Sequence, residues 1–452
     1  MTRSRLARNT PRVPPIRLRS GRKPIRCHGF GTMKNIDAIV IGGGPAGSCA
    51  GTWLARRGRS VVLLEREHFP RFHIGESLLP YNSEIFDELG VTPRLREAGF
   101  PVKAGAQFHL GNQTKQTAFV FREGRFTRHH AAFQVERSRF DEILLRHGAE
   151  CGVEVREGVT VERVTTDPDG VTVSTASGEA LHARFVIDAS GRSNLTGTQE
   201  GLKVPNPKLR KLAVFAHFDG VQLDPGSKGG DTVIVREERH WFWLIPIRID
   251  GDGRGRVSVG AVLDRDTFSE MEGSAAEILK RLIDCSPAVK SRMGTAAVAS
   301  EVRVTSDFSY RNRRLSSQRC IRVGDAAGFI DPIFSSGVFI AMHSARAAAV
   351  AVEEGLTGGH DASGAFERYE HRLAAAMRVY QEMVEGFYTK PFMELFLEPR
   401  AKLGIAAAVN AVLAGELAGG WRLLWRMRVF FWLVRLQARF PLVPRFSFGT
   451  AG

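Results

Sequence analysis

Cysteine is scarce in this chain of 452 residues: Cys27, Cys49, Cys151, Cys285 and Cys320 are odd in number and far apart. Neither a disulfide framework nor a zinc pattern can be drawn from them, and reduced thiols in a cytoplasmic setting are the expectation. The histidines, the His129-His130 pair included, lack metal-ligand spacing, so no metal is expected. An apolar leader is missing too, which argues against secretion. In the C-terminal part the longest uncharged apolar run, Leu403 to Gly415, has 13 residues, against roughly 20 for a membrane-spanning helix. No basic stripe interleaves with base-stacking aromatics, so nucleic acid is not an expected partner. Acidic residues are absent from residues 1–32, which carry nine Lys or Arg. Without that stretch the formal charge of +15 falls to +6, so much of the basic balance belongs to the tail. Prolines without apolar periodicity predict disorder for residues 1–33. Met33 is followed at once by a strand-like run, which offers a second reading, a start codon assigned too far upstream.

What is present is a globular composition, 43% hydrophobic and 25% charged, in a chain long enough for two lobes. Ile36 to Ile41 is short, β-branched and bounded by glycine, the pattern of a buried parallel strand. Gly42, Gly44 and Gly47 follow as G-x-G-x-x-G, with Pro45 and Ala46 opening an Ala-rich helix, and Ser60 to Glu65 reads as a second strand. In such a unit the first glycine permits a tight turn, the second lets backbone approach a pyrophosphate, and the third lets helix pack on strand. The phosphates sit where helix N–H groups are free. Glu65, 23 residues after Gly42, is placed to accept from an adenosine ribose, with Arg66 beside it. The unit therefore predicts an adenine dinucleotide site.

Farther on, Asn82 to Leu89 and Val135 to His147 have helical spacing, and Val153 to Val186 alternates in short runs that predict hairpins. Residues 211–310 alternate between apolar and polar with Gly/Asp turns, the pattern of an antiparallel sheet. A short strand at residues 321–324 and an Ala-rich helix through Val352 return to the first texture. The expected organisation is an α/β nucleotide-binding lobe from 34–210 and 311–389, a β-sheet substrate lobe at 211–310, and a helical appendage at 390–452.

Val323-Gly324-Asp325-Ala326-Ala327 resembles the second FAD fingerprint of glutathione-reductase-type flavoproteins, in which the Asp holds the ribityl chain. The resemblance implies FAD in a Rossmann-like lobe with an inserted sheet, as in the aromatic hydroxylase-like superfamily. Three further segments resemble the flavin-dependent halogenases, chiefly their aryl and phenolic branch. Phe329-Ile-Asp-Pro332-Ile-Phe-Ser335-Ser-Gly337 matches F-x-x-P-x-x-S-x-G, which implies that Ser336 and Gly337 hold a halide ion and that Gly337 also faces the flavin. Trp241-Phe-Trp243-Leu-Ile245-Pro246 matches W-x-W-x-I-P, implying that Trp241, Trp243 and Pro246 wall the flavin off from the organic substrate. Lys103 stands where the family keeps the lysine that holds or is halogenated by hypohalous acid, and burial would lower its pKa. The loop Arg71 to Pro80, with Ser77, is similar to the family's flavin-covering G-E-S-x-x-P loop, and Arg137 matches a helix start that contacts the cofactor. Asp188-Ala-Ser-Gly191 separates the Asp and Gly that NADPH-binding hydroxylases keep adjacent, which favours a separate flavin reductase.

Two positions depart from relatives: Phe339 replaces a histidine common in aryl halogenases, and Phe334 stands where the tryptophan-acting branch has glutamate. The resemblance thus implies reduced-FAD- and O2-dependent halogenation of a phenol, a pyrrole or a carrier-tethered group. A monooxygenase or a geranylgeranyl-reductase-like oxidoreductase remains the alternative. Trp421 to Phe440 contains three tryptophans and five arginines, with Arg428, Arg435 and Arg439 on one helix face. It reads as a helix packed over the sheet, a peripheral membrane contact, or a docking face for an acidic carrier protein.

Overall fold

The computed structural model describes residues 35–306, 309–358, 362–400, 402–416 and 420–448; the basic tail and Met33 lie outside them. The glycine unit organises the first layer. Ile36–Ile41 lies between Val61–Glu65 and Ala180–Asp188, parallel to both, with Glu154–Glu157 beyond Val61–Glu65 and Cys320–Arg322 beyond Ala180–Asp188. Buried β-branched and leucine side chains on both faces suit the centre of a parallel sheet. The Pro45–Ala55 and Ser336–Thr357 helices pack against each other on one side of it.

The hairpin expectation for residues 153–186 holds for Val161–Thr166, Val171–Thr175 and the first part of Ala180–Asp188. Glu154–Glu157 instead pairs in parallel with Val61–Glu65, because a strand after a long helix re-enters the sheet by crossover.

The second sheet orders Lys211–Gln222, Arg254–Asp264, His240–Ile249 and Thr232–Arg236 as antiparallel neighbours. It also takes in Gly105–Leu110, parallel to Thr232–Arg236, and Gln116–Val120, so it reaches outside the 211–310 span. Within that span, Ala275–Cys285 and Pro287–Met293 are helices. Ser274 and Glu277 form a reciprocal capping box at the start of the first.

Strand alternation splits His240–Ile249 between two cores. Trp241, Trp243 and Ile245 join the core shared with the nucleotide lobe and the C-terminal helices. Phe242 and Leu244 face Ile278, Leu282 and Val289 on the opposite side. Gly260 lies opposite Trp243, where a Cβ would fall 2.2 Å from the indole. That empty position lets the Trp243 ring lie flat across the neighbouring strand.

The glycine turn shows a division of labour. A Cβ on Gly47 would sit 1.8 Å from the Gly42 carbonyl oxygen, whereas on Gly44 the nearest atom, Arg71 Nη2, would be 3.5 Å away. Gly47→Ala should therefore lose about 1–3 kcal/mol in a denaturant melt through overpacking. Gly44→Ala should melt within about 0.5 kcal/mol of the parent; equal losses at both positions would contradict this reading.

Candidate functional site

A cleft of about 680 Å³ runs along the C-terminal edge of the parallel sheet, where doubly wound folds bind their ligands. Its walls bring together Gly42, Gly44, Pro45, Ala46, Glu65, Arg66, Arg137, Asp325 and Gly337, residues drawn from four separate stretches of sequence. Trp243 closes the side toward the second sheet. Gly47, Ser77, Lys103, Ser336 and Trp241 lie outside the cleft lining and are buried.

The helix at the glycine turn starts with Pro45, and its first internal bond runs from the Ser48 N–H to the Gly44 carbonyl at 2.9 Å. The amides of Ala46 and Gly47 thus have no intrahelical acceptor and suit phosphate oxygens. Glu65 is buried, and its two oxygens accept from the Gly43 N–H at 2.6 Å and the Glu67 N–H at 2.9 Å. Those bonds hold the carboxylate against the turn and leave lone pairs for ribose hydroxyls. At the far end, burial pushes the Asp325 carboxyl up to about 6, and the Tyr310 hydroxyl fastens the Asp325 carbonyl at 2.6 Å. A cradle open at Gly44, an acid at each end and a long cleft between them fit FAD.

Arg137 clamps the loop above the cleft. Its Nε and Nη2 bond both oxygens of Asp141, at 2.8 and 2.9 Å, while Nη1 donates to the carbonyls of Ile74 and Gly75. Arg71 reaches the same Asp141 at 3.1 Å and Glu67 at 3.3 Å, so one fully buried carboxylate bridges two guanidiniums at the edge of the cleft. Arg71 gave no separate signal in the sequence beyond its place in the loop.

Lys103 occupies a two-residue strand paired with Ala132–Phe133 and is 1% exposed. Its Nζ donates to Ser77 Oγ at 2.9 Å and to the Leu78 carbonyl at 3.1 Å. Ser77 in turn meets Thr232 Oγ1 at 2.8 Å, and Gln134 Nε2 donates to the same Thr232 oxygen at 2.9 Å. The Phe121 ring lies 5.7 Å from Nζ. Burial pulls the Lys103 pKa down to about 7, only partly opposed by the charge of Asp231. A neutral amine has two N–H groups, and two acceptors are present; a charged ammonium would bring a third donor into this enclosure. The site therefore suits a free amine with its lone pair available.

Ser336 is buried at the start of the Ser336–Thr357 helix, following Ser335 in a left-handed conformation, and Gly337 is the next residue and lines the cleft. Asp331, in the same loop, is 1% exposed, and burial pushes its carboxyl up to about 7. Its Oδ1 accepts from the Ile333 N–H at 3.1 Å, and its Oδ2 accepts from the Tyr388 hydroxyl at 2.9 Å. Tyr388 accepts from Trp241 Nε1 at 2.9 Å. One phenol thus joins the Phe329–Gly337 loop to the strand carrying the tryptophans. Neither Asp331 nor Tyr388 stood out in the sequence, since their partners lie 57 and 147 residues away.

Trp243 donates to Ser258 Oγ at 3.2 Å, and its ring lies 6.0 Å from that of Trp241. Pro246 does not share this face. It stands on the side of Leu244, against Val221 and Val257, because residues 241, 243 and 245 alternate with 242, 244 and 246. The aromatic wall is Trp241 and Trp243 without Pro246. Phe334 packs among Phe108, Phe387 and Phe396, and Phe339 packs on His343 and Tyr380.

Two outcomes follow. The folded Lys103 pKa of about 7 lies below the ordinary 10.5, so between those values the unfolded chain holds a proton that the folded chain lacks. Stability must then rise with pH across that interval. Melts of Lys103→Met and of the parent should diverge there, the parent alone gaining; parallel curves would show an ammonium that is already charged. Tyr388→Phe leaves Asp331 Oδ2 and Trp241 Nε1 buried without this partner, and should cost about 1–3 kcal/mol. A double-mutant cycle with Asp331→Asn checks it, and strict additivity would argue against the linkage.

Residues 37–130 and 122–394 match the family model described as tryptophan halogenase. A tryptophan 2-halogenase of Chondromyces crocatus is 33% identical over 360 residues, 77% of this chain and 67% of that protein. A 1H-pyrrole-2-carbonyl-[peptidyl-carrier protein] brominase of Pseudoalteromonas luteoviolacea is 30% identical over 366 residues, 79% of this chain and 87% of its own. Among solved structures, a myxobacterial chondrochloren halogenase superposes with a TM-score of 0.71 at 30% identity, covering 88% of this chain and 97% of that one. The glycine cradle, Asp325 and the loop from Phe329 to Gly337 thus belong to a member of the tryptophan halogenase family, an FAD-dependent halogenase.

Proposed function

We propose that this halogenase oxidises halide with reduced FAD and O2, and delivers the halogen through Lys103 to an electron-rich carbon of a phenol, a pyrrole or a carrier-tethered aryl group. The observation that carries the reading is the buried Lys103 amine, held by two acceptors and, among the described residues, free of any contacting carboxylate. When bound, the reduced cofactor supplies two electrons and two protons that, with O2, halide and one further proton, give hypohalous acid and water.

Glu65, Arg137, Asp325 and the glycine turn would hold FAD, and a separate flavin reductase would deliver it reduced. Ser336 and Gly337 would hold the halide at a desolvated helix start, where backbone N–H groups favour an anion. Trp241 and Trp243 would keep organic substrate away from the cofactor. At Lys103 the free amine displaces hydroxide from hypohalous acid: the N–H bond breaks, an N–halogen bond forms, and water leaves. The substrate carbon then takes the halogen and returns its proton to nitrogen, regenerating the amine.

Support for a carrier-tethered or pyrrole substrate comes from relatives named for pyrrole-carbonyl carrier proteins. Phe334, enclosed by Phe108, Phe387 and Phe396, puts no carboxylate where the tryptophan-acting branch has one, which argues against free tryptophan as substrate.

The test is an aerobic assay with a flavin reductase, bromide and a panel of phenols and pyrroles, with product read by its bromine isotope pattern. Lys103→Ala should lose brominated product by at least ~100-fold while O2 consumption continues, as expected when one covalent step is removed. Product formation by the parent should rise with pH through about 7, because the free amine is the reacting form. Direct NADPH consumption by the chain alone, with no brominated product, would instead favour a monooxygenase or an isoprenoid reductase.

A further inference from the structure

The Gly420–Arg439 helix carries five arginines and no acid. Its inner face is well fixed: Leu423, Met427 and Phe430 are buried, Phe430 meets the Phe392 ring at 5.3 Å, and Gln437 bonds Glu394 at 2.6 Å. The outer face is the unusual one. Trp421 is 72% exposed and Trp432 56%, and Arg428, Arg435 and Arg439 are exposed as well. Helical geometry puts these five residues on one line, in the order Trp, Arg, Trp, Arg, Arg. None of the three arginines pairs with a carboxylate among the described residues. Leu403, 67% exposed, adjoins the same helix, since the Arg426 Nε donates to its carbonyl at 2.9 Å.

A different side of the same helix, the one carrying Arg426, contacts the segment that covers Lys103. The Arg426 guanidinium lies 4.8 Å from the Phe126 ring. Asn410, on the adjoining Ile405–Leu413 helix, donates to the Val120 carbonyl at 2.8 Å. Residues 120–126 thus run from beneath these helices to Phe121, whose ring faces the Lys103 amine.

We infer that the outer face of this helix docks an acidic carrier domain bearing the acyl-thioester substrate, on a helix whose other side is packed on the 120–126 segment over Lys103. The inference rests on the carrier-tethered substrate proposed above. Charge decides the occupant: an acid-free row of arginines calls for a negative surface, and exposed tryptophans among them supply desolvated anchors. The chain's own N-terminal tail, with nine basic residues and no acid in residues 1–32, cannot complement it. A lipid surface fits less well. An interfacial helix needs a continuous apolar strip to sink into the acyl boundary, and here each tryptophan on the line has an arginine next to it.

The probe is a peptidyl-carrier protein charged with pyrrole-2-carbonyl thioester, compared with a free phenol as acceptor. Arg428→Glu, Arg435→Glu and Arg439→Glu combined should raise KM for the carrier-bound substrate by at least ~10-fold, as reversed rim charges slow encounter. The values of kcat and of free-phenol halogenation should stay unchanged. The parent's KM should climb with salt and the variant's should not. Equal KM values in parent and variant would overturn the docking face. So would phenol halogenation by a parent that leaves the carrier substrate untouched, an outcome that spares the halogenase chemistry. Sedimentation with phosphatidylserine vesicles that the same three substitutions abolish, alongside an unchanged carrier KM, would assign the face to a membrane instead. Failure of the parent on phenol and carrier substrate alike would count against the proposed chemistry itself.

Discussion

Burying an amine without a contacting carboxylate drives it toward giving up its proton, and the surroundings of Lys103 are arranged around that constraint. Two acceptors, Ser77 Oγ and the Leu78 carbonyl, match the two N–H groups of the neutral form. Desolvation brings the pKa down to about 7, so the free base is substantially populated at neutral pH. Asp231 is close enough to oppose the shift electrostatically, yet its carboxylate is engaged by the Ala104 N–H instead of the lysine. An amine held in this way is a nucleophile at rest, which is the property that the proposed halogen transfer needs.

The rest of the molecule keeps that amine apart from the cofactor cleft while fastening the two regions together. Ser77 belongs to the loop clamped by Arg137 and is also hydrogen-bonded to Thr232 of the second sheet. Tyr388 joins the loop containing Asp331 to Trp241 on the same sheet. Cleft, aromatic wall and lysine are therefore connected through buried polar contacts, in which a displaced partner leaves an unsatisfied group behind. A shift in the second sheet would move both the wall and the lysine's acceptor.

How much of this was legible depends on distance along the chain. The glycine turn, Glu65 and the strands around them could be read directly, because turn, helix start and acid lie within one local unit. The parallel pairing of Gly105–Leu110 with Thr232–Arg236 could not, since alternation reveals a strand but not its neighbour. The helices between residues 275 and 293 were hidden by their place among strands, although Ser274 and Glu277 carried a readable cap. Pro246 was grouped with the tryptophans by motif, and strand alternation separates it from them. The linkage of Asp331, Tyr388 and Trp241 is a tertiary fact with no local signature.

The central claim is that halogen passes through the Lys103 nitrogen, and peptide mass spectrometry after a single turnover with bromide and no organic acceptor tests it most directly. The account predicts a bromine isotope doublet confined to the peptide containing Lys103, lost when a phenol is added before digestion. Bromine scattered over surface tyrosines and tryptophans, with the Lys103 peptide unmodified, would contradict it.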